Sequence, residues 1–462
     1  MFNDEEENST FYDVDDNEYK VTFLSEGGQG KVYITEDKRL AVKVSEVPKA
    51  ADESYKAAYY RNLDKILSVF VDDSVHIAFP IVKLKEVCGY VMDFLDGGKD
   101  LTGLMISSVK MSEIFTQYRE TGGLKRRLLI LYDLAKTLHG LHRFGYVYGD
   151  ISHANVFISR LPRDISEIDS DNTVICLIDT DNVKKEGEFK KPIYTPGYGA
   201  PEVFMGIANT AKSDMYSFAL LGYRLLNVNG PFDGIQDDDD DDFGWDADTD
   251  EGETVGSKEE RGEKAFIFDE VDLSNRAGAG VIPYAFGCTD RLIGLFRRAF
   301  SYHSRCRCMD RPTAAEWACA LADATDSLVY CQKCNTHHYH FFQPCGGEFS
   351  GVIARIDYLV PDDEEYRIVD CGEVVFDGYS ARIFDRKTQK TDLMNHRMFD
   401  IKLRDGEFDI INLNSREYIY AIYTNGRLAE GSSGSIGRSE IIVAKTGVPE
   451  EFFARIRFEV KN

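Results

Sequence analysis

Asp150 and Asn155 stand five residues apart in the stretch Tyr148-Gly149-Asp150-Ile151-Ser152-His153-Ala154-Asn155. Phosphoryl transfer needs a carboxylate to orient the attacking hydroxyl and a nearby amide oxygen to help hold a metal on the phosphates, and this pair can supply both. Downstream, Val174-Ile175-Cys176-Leu177-Ile178 reads as a buried strand ending in Asp179-Thr180-Asp181. A carboxylate at such a strand end suits Mg²⁺ bridging the β- and γ-phosphates. Upstream, Lys43 lies within the β-branched run Leu40-Ala41-Val42-Lys43-Val44. A lysine in a buried strand is costly unless it meets an anion. Before it comes Ser25-Glu26-Gly27-Gly28-Gln29-Gly30, whose glycines let backbone N–H groups close over phosphates, while Val32 can cover a base.

Regular elements must carry these residues. Tyr19 to Leu24 alternates as a strand leading into the glycines, and Val156-Phe157-Ile158 reads as the strand that fixes the exit of the Asp150 loop. Ala51 to Phe70 has helical apolar spacing, and Gly89-Tyr90-Val91-Met92-Asp93 reads as a strand ending in a linker through Leu95 and Gly97. From Leu124 to Leu141 the residues Leu128, Leu131, Leu134, Leu138 and Leu141 form one apolar stripe of a core helix.

In this order and spacing the stretches resemble the motifs of the protein kinase family. The resemblance gains specificity at Tyr194-Thr195-Pro196-Gly197-Tyr198-Gly199-Ala200-Pro201-Glu202, which matches the T-P-G-Y-x-A-P-E close of an activation segment. Ser213-Asp214-Met215-Tyr216 is similar to the helix start whose aspartate ties down the catalytic loop, and Arg311 to the late arginine that pairs with Glu202. Across roughly residues 19–323 the resemblance implies a bilobal α+β kinase fold using ATP and Mg²⁺. It implies catalytic roles for Asp150 and Lys43. It also implies a nucleotide site from Ser25, Gly27, Gly28, Gly30, Val32, Ala41, Lys43, Met92 as gatekeeper, Asp93, Leu95, Asn155 and Asp179, with Asn155 and Asp179 holding Mg²⁺. The sequence departs from the family in four places. No helix carboxylate fits as partner of Lys43: Glu53 comes early, and the register puts Leu63, Asn62 or Asp64 there. Tyr148-Gly149 replaces His-Arg, Ser152 stands where Ser/Thr kinases commonly have lysine, and Thr180-Asp181 replaces Phe-Gly.

The chain of 462 residues calls for more than one domain, and 43% hydrophobic with 29% charged residues marks it as globular. A formal charge of −25 disfavours nucleic-acid and anionic-membrane partners. The acidic N-terminus lacks the positive flank and apolar run of a signal peptide, and the scattered cysteines read as reduced thiols, so a cytoplasmic location is expected. Residues 1–16 read as an acidic disordered leader, 17–97 as an N-lobe and 98–326 as a C-lobe with an acidic insertion at 235–264. That insertion reads as a solvated loop, with a Ca²⁺ sink or a dock for a basic partner as alternatives. Residues 327–349 carry Cys331, Cys334, His340 and Cys345 at spacings suited to structural zinc, with His337 or His338 as substitutes for His340. Residues 350–462 read as an all-β accessory domain, a sandwich or barrel, that recruits a partner. Ile436-Gly437-Arg438-Ser439 resembles the opening of a forkhead-associated signature and is read as structural, because too few residues follow it.

The whole implies a bacterial-style Ser/Thr protein kinase followed by a zinc-ribbon-like segment and the β domain. A pseudokinase scaffold is the alternative. The chain also resembles the kinases that accompany a phosphatase and a von Willebrand-type protein in tellurite-resistance-type operons, which suggests those as partners.

Overall fold

Six strands build the first layer of the computed structural model, which describes residues 8–27, 30–48, 53–71, 75–95, 98–106, 111–159, 174–236, 257–278, 281–331, 333–342 and 344–345 and, beyond 350, the strand backbone. They are β1 (Asn8–Tyr12), β2 (Glu18–Gly27), β3 (Gly30–Thr35), β4 (Leu40–Ser45), β5 (Pro80–Lys83) and β6 (Gly89–Asp93), in the sheet order β1-β2-β3-β4-β6-β5. Apolar residues on one face, among them Val21, Tyr33, Val42, Leu84 and Val91, form their own small core. Helix α1 (Glu53–Leu67) crosses this layer and buries Leu63 and Ile66.

From residue 8 onward strand β1 corrects the expectation of a disordered leader over 1–16, and residues 1–7 lie outside the described residues. Phe11 packs edge-on against Tyr33 with ring centroids 5.1 Å apart, an apolar contact that the acidic composition hid. Just beyond it Asp13, 1% exposed, accepts hydrogen bonds from the backbone of Asp15 and Asn17, the Asn17 amide and the Tyr19 hydroxyl. The chain there also reaches the opposite edge of the sheet. Asp13 bridges to Leu84, Val14 N–H donates to the Lys83 carbonyl, and Lys85 N–H donates to that of Tyr12. The two edge strands of the sheet thereby meet at this end.

The second layer is mainly helical. After the two-residue strand β7 (Lys99–Asp100) come α2 (Met111–Glu120) and α3 (Gly123–Arg143), the latter containing the helix expected over Leu124–Leu141. Short strands β8 (Tyr146–Val147), β9 (Val156–Ser159), β10 (Val174–Leu177) and β11 (Lys184–Lys185) frame the loop of Asp150 and the segment after Asp179. They pair antiparallel as β9 with β10 and β8 with β11. Helices α4 (Pro201–Phe204), α5 (Ala211–Leu226), α6 (Asp290–Phe300), α7 (Tyr302–Arg307) and α8 (Ala314–Asp326) complete the layer. Helix α5 starts at a reciprocal capping box between Thr210 and Ser213 and is buried along most of its length. Its Phe218 and the Phe296 of α6 both pack on Trp317, which is 1% exposed.

The acidic insertion is narrower than 235–264. Ile235–Gln236 is β12, paired with β13 (Asn275–Arg276). Residues 257–264 pack back on the helices, with the Arg305 guanidinium donating to the Gly262 carbonyl at 2.6 Å. The poly-Asp run itself lies outside the described residues. Beyond α8, the hairpin of β14 (Leu328–Cys331) and β15 (Thr336–Tyr339) joins the helical core through Tyr339, which is fully buried and donates to the Gly287 carbonyl at 3.0 Å. From Gly351–Asp362 to Val448–Lys461 the backbone forms antiparallel strands in one six-stranded and one four-stranded sheet. The forkhead-like stretch falls there: Ile436 ends a short strand, and residues 437–440 lie outside the described residues.

Candidate active site

A cleft of ≈680 Å³ opens where the two layers meet. Its lining includes Ser25, Gly30, Val32, Ala41, Lys43, Met92, Asp93, Leu95, Asn155 and Asp179, so most of the expected nucleotide set faces one space. The register of β4 against β6 explains the back wall, since Ala41 pairs with Met92 and Lys43 with Tyr90. Gly27 pairs with Gly30 at the tip of the β2–β3 hairpin, and Gly28 lies outside the described residues. A side chain at Gly30 would put its Cβ 2.1 Å from the Val44 carbonyl oxygen, and φ there is +141°, so the position demands glycine.

Lys43, 7% exposed, donates to Asp179 Oδ1 at 2.7 Å and to Asp181 Oδ2 at 2.9 Å. Burial opposes its charge, but Tyr90 and the two carboxylates outweigh burial and hold the ammonium pKa well above its ordinary value. Asp179 sits in the left-handed region at φ 62°, a conformation few side chains adopt and one often found at functional sites. The candidates on α1 are engaged elsewhere: Glu53 pairs with Lys56, Asp64 pairs with Lys83, and Leu63 is buried. From α1 it is Tyr59 that reaches this wall, its hydroxyl 2.9 Å from Ser45 Oγ. Asp181 is thus a site residue that sequence reasoning read only as a replaced glycine. Its carboxylate, two residues after Asp179, was the available signal.

Across the cleft Asp150 is held from both sides. Thr195 Oγ1 donates to Asp150 Oδ1 at 2.7 Å, and Asn155 Nδ2 donates to Asp150 Oδ2 at 3.0 Å and to the Asp150 carbonyl at 2.9 Å. Burial raises the Asp150 pKa above the ordinary aspartate value, the Thr195 and Asn155 hydrogen bonds pull against that, and Asp179 adds to the rise. With both Asn155 donor bonds spent on Asp150, its amide oxygen is left as an acceptor, which together with Asp179 is the hard-oxygen donor set that Mg²⁺ takes.

The loop's frame comes from α5. Asp214 accepts from the backbone N–H groups of Tyr148 and Gly149, each at 2.8 Å, and from His142 Nε2 at 2.9 Å. The buried Tyr148 hydroxyl donates to the Ile178 carbonyl, tying the loop to the residue before Asp179. Arg311 meets Glu202 in a two-pronged pair at 2.6 and 2.9 Å, as the spacing of those motifs implied.

A second cluster lies on the β14–β15 hairpin. Ligand atoms of Cys331, Cys334, His338 and Cys345 all lie within 4.8 Å of one another, with Cys334 Sγ 2.8 Å from His338 Nε2. Tetrahedral zinc, with bonds of about 2.0–2.3 Å, requires donor atoms roughly 3.5 Å apart, so three thiols and an imidazole at this spacing fit the ion. His338 replaces the expected His340. In the pairing of β14 with β15, Cys331 faces Thr336 and Val329 faces His338, which puts Cys331 and His338 on one side of the hairpin. His340 falls past the strand's end, where its N–H donates to the Ser327 carbonyl at 3.3 Å.

Known proteins match the first part of the chain. The protein kinase domain family model matches residues 20–261, just over half of the 462. The serine/threonine-protein kinase pkn2 of Myxococcus xanthus is 27% identical over 215 residues, 46% of this chain and 24% of its own length. PkaA of Streptomyces coelicolor, also a serine/threonine-protein kinase, is 25% identical over 197 residues, 42% of this chain and 33% of its own. PknJ of Mycobacterium bovis is 24% identical over 214 residues, 45% of this chain and 33% of its own. The chain thus spans about a quarter to a third of the length of the curated relatives it matches. Since the matched region covers more than half of the chain and contains Lys43, Asn155 and Asp179 around one cleft, with Asp150 hydrogen-bonded to Asn155, the chain belongs to the protein kinase domain family.

Proposed function

We propose that the chain transfers the γ-phosphoryl group of ATP to a serine or threonine hydroxyl of a protein. The carrying observation is Asp150, which Thr195 and Asn155 hold by one carboxylate oxygen each. Asp150 orients and accepts from the attacking hydroxyl, while Lys43 binds the α- and β-phosphates. Asp181 keeps hold of the Lys43 ammonium when Asp179 turns to a metal. Asn155 and Asp179 would hold Mg²⁺, which neutralises charge developing on the phosphates. Met92, Asp93 and Leu95 border the adenine, and Ser25, Gly27, Gly28 and Gly30 cover the phosphates.

Incubation with labelled ATP, Mg²⁺ and acceptor proteins tests this reading. Wild type transfers label, and Asp179→Ala does not. The Lys43–Asp179 contact also suits a pseudokinase in which the pair is a permanent structural tie, and that reading requires that Mg²⁺-ATP leave the melting temperature unchanged.

The remaining assignments belong with this reading. Cys331, Cys334, His338 and Cys345 hold a structural zinc, and the strands beyond 350 form an all-β accessory domain that recruits the protein partner. A phosphatase or von Willebrand-type protein is the partner class the operon resemblance suggests. The cytoplasm, where free thiols stay reduced, is the expected location. No helix among the described residues is long and apolar enough to cross a membrane.

A further inference from the structure

The segment between Asp181 and the Tyr194-Thr195 pair reads Asn-Val-Lys-Lys-Glu-Gly-Glu-Phe-Lys-Lys-Pro-Ile and contains no serine, threonine or tyrosine. Of the flanking residues, Thr180 is fully buried, Thr195 donates to Asp150, and the partly buried Tyr194 packs its ring edge-on against Phe204 at 6.3 Å. The receiving side is equally closed to a phosphate switch. At position 149, before Asp150, stands a glycine with φ +88°, and a Cβ there would lie 3.0 Å from the Phe189 ring. An arginine at 149 would meet both a strained backbone and an occupied space.

Another residue makes the tie. Asn209, 3% exposed, donates through Nδ2 to the Gly149 carbonyl at 2.9 Å and to the Ile193 carbonyl at 2.7 Å, and its Oδ1 accepts from Ile193 N–H at 2.9 Å. It immediately precedes Thr210, the N-cap of α5, and that helix's Asp214 grips the same Gly149 through its N–H. Ile193 is two residues from Thr195, which holds Asp150. One buried amide therefore fixes the activation segment to the catalytic loop by three neutral hydrogen bonds, and leaving them unmade inside the protein is costly.

We propose that Asn209 is a positioning residue that keeps the activation segment in register with Asp150 without any phosphate, so that the transferase needs no activating phosphorylation of this segment. The proposal rests on the kinase reading above. Its test compares untreated protein with protein stripped by a broad phosphatase and shown by intact mass to carry no phosphate. Phosphate-free wild type should keep kcat within about 2-fold. Asn209→Asp, isosteric but unable to donate either Nδ2 bond, should lose at least 10-fold in kcat while KM for ATP stays within about 3-fold, because Asn209 does not line the nucleotide cleft. A 10-fold loss of kcat on dephosphorylation, reversed by rephosphorylation, would overturn the proposal, as would an unchanged kcat in Asn209→Asp. Should wild type bind Mg²⁺-ATP yet transfer nothing, the kinase reading fails alone, and hydrogen exchange over residues 189–195 still decides this one. Protection in phosphate-free wild type that Asn209→Asp abolishes supports the lock; equal exchange in the two contradicts it.

Discussion

Asp181 departs from the family pattern and yet sits at the centre of the cleft, 2.9 Å from Lys43. A charge-assisted contact of this kind is worth about 1.5–3 kcal/mol, so Asp181→Gly should lower kcat/KM for ATP by roughly 10- to 100-fold. Adding Tyr59→Glu to that variant, which returns a carboxylate from α1, should recover part of the loss. An unchanged kcat/KM in Asp181→Gly would show that Lys43 does not depend on this contact.

Asp150 carries a second residue-scale prediction. It acts as an acceptor only when ionised, so a raised pKa moves the acid limb of activity to higher pH. Burial raises that pKa and the Thr195 hydrogen bond lowers it. Thr195→Val should therefore shift the acid limb of the kcat/KM–pH profile upward, and a shift to lower pH would contradict the assignment. Lys43, Asp150, Asn155 and Asp179 were legible in the sequence because each is a single residue type in a fixed local pattern. Asp181 and Asn209 were not, because each gains its role only from partners 138 and 60 residues away.

At the scale of elements, β1 and the β14–β15 hairpin were the least legible. Acidic composition predicted no strand at residues 8–12, yet Phe11 packs on Tyr33 of β3 and the buried Asp13 bridges to Leu84 beside β5. Burial works against the Asp13 charge, and hydrogen bonds from Asn17, Tyr19 and Asp15 more than compensate, leaving its pKa below the ordinary value. Its contribution is thus full above the unfolded-chain carboxylate pKa and is lost as pH falls through the lower folded value. Asp13→Ala should cost about 1–3 kcal/mol at neutral pH, with a smaller difference from wild type in acid, as read by urea unfolding. An equal cost at both pH values would contradict a charged Asp13.

For the hairpin, cysteine spacing located the cluster, but strand alternation was needed to set His337 aside and the end of β15 at Tyr339 to set His340 aside. His338→Ala should strip the metal and lower the melting temperature by more than about 5 °C, while His340→Ala leaves metal content unchanged. Elemental analysis of both variants decides it, and metal retained in His338→Ala would refute the ligand set.

For the whole molecule, motif order alone made the two-layer fold legible up to Arg311. Glu202 and Arg311, 109 residues apart, meet with side chains 6% and 1% exposed. Position along the chain says less about the strands beyond residue 350, where no residue type repeats at a diagnostic spacing. Every residue proposed for phosphoryl transfer, together with Thr195, Asn209 and Asp214 that position the loop of Asp150, lies before Met215. Deleting 351–462 should therefore preserve ATP binding and weaken capture of the protein partner in pull-down assays. A truncated chain that folds but no longer binds ATP would place those strands within the catalytic architecture.

The most direct measurement is phosphosite mapping of an acceptor protein incubated with Mg²⁺-ATP and either wild type or Asp150→Asn. Wild type should yield phosphoserine or phosphothreonine, and the variant a rate reduced about 10²- to 10⁴-fold with nucleotide affinity retained. Equal labelling by both proteins, or none by either while ATP binds, would contradict the proposed function.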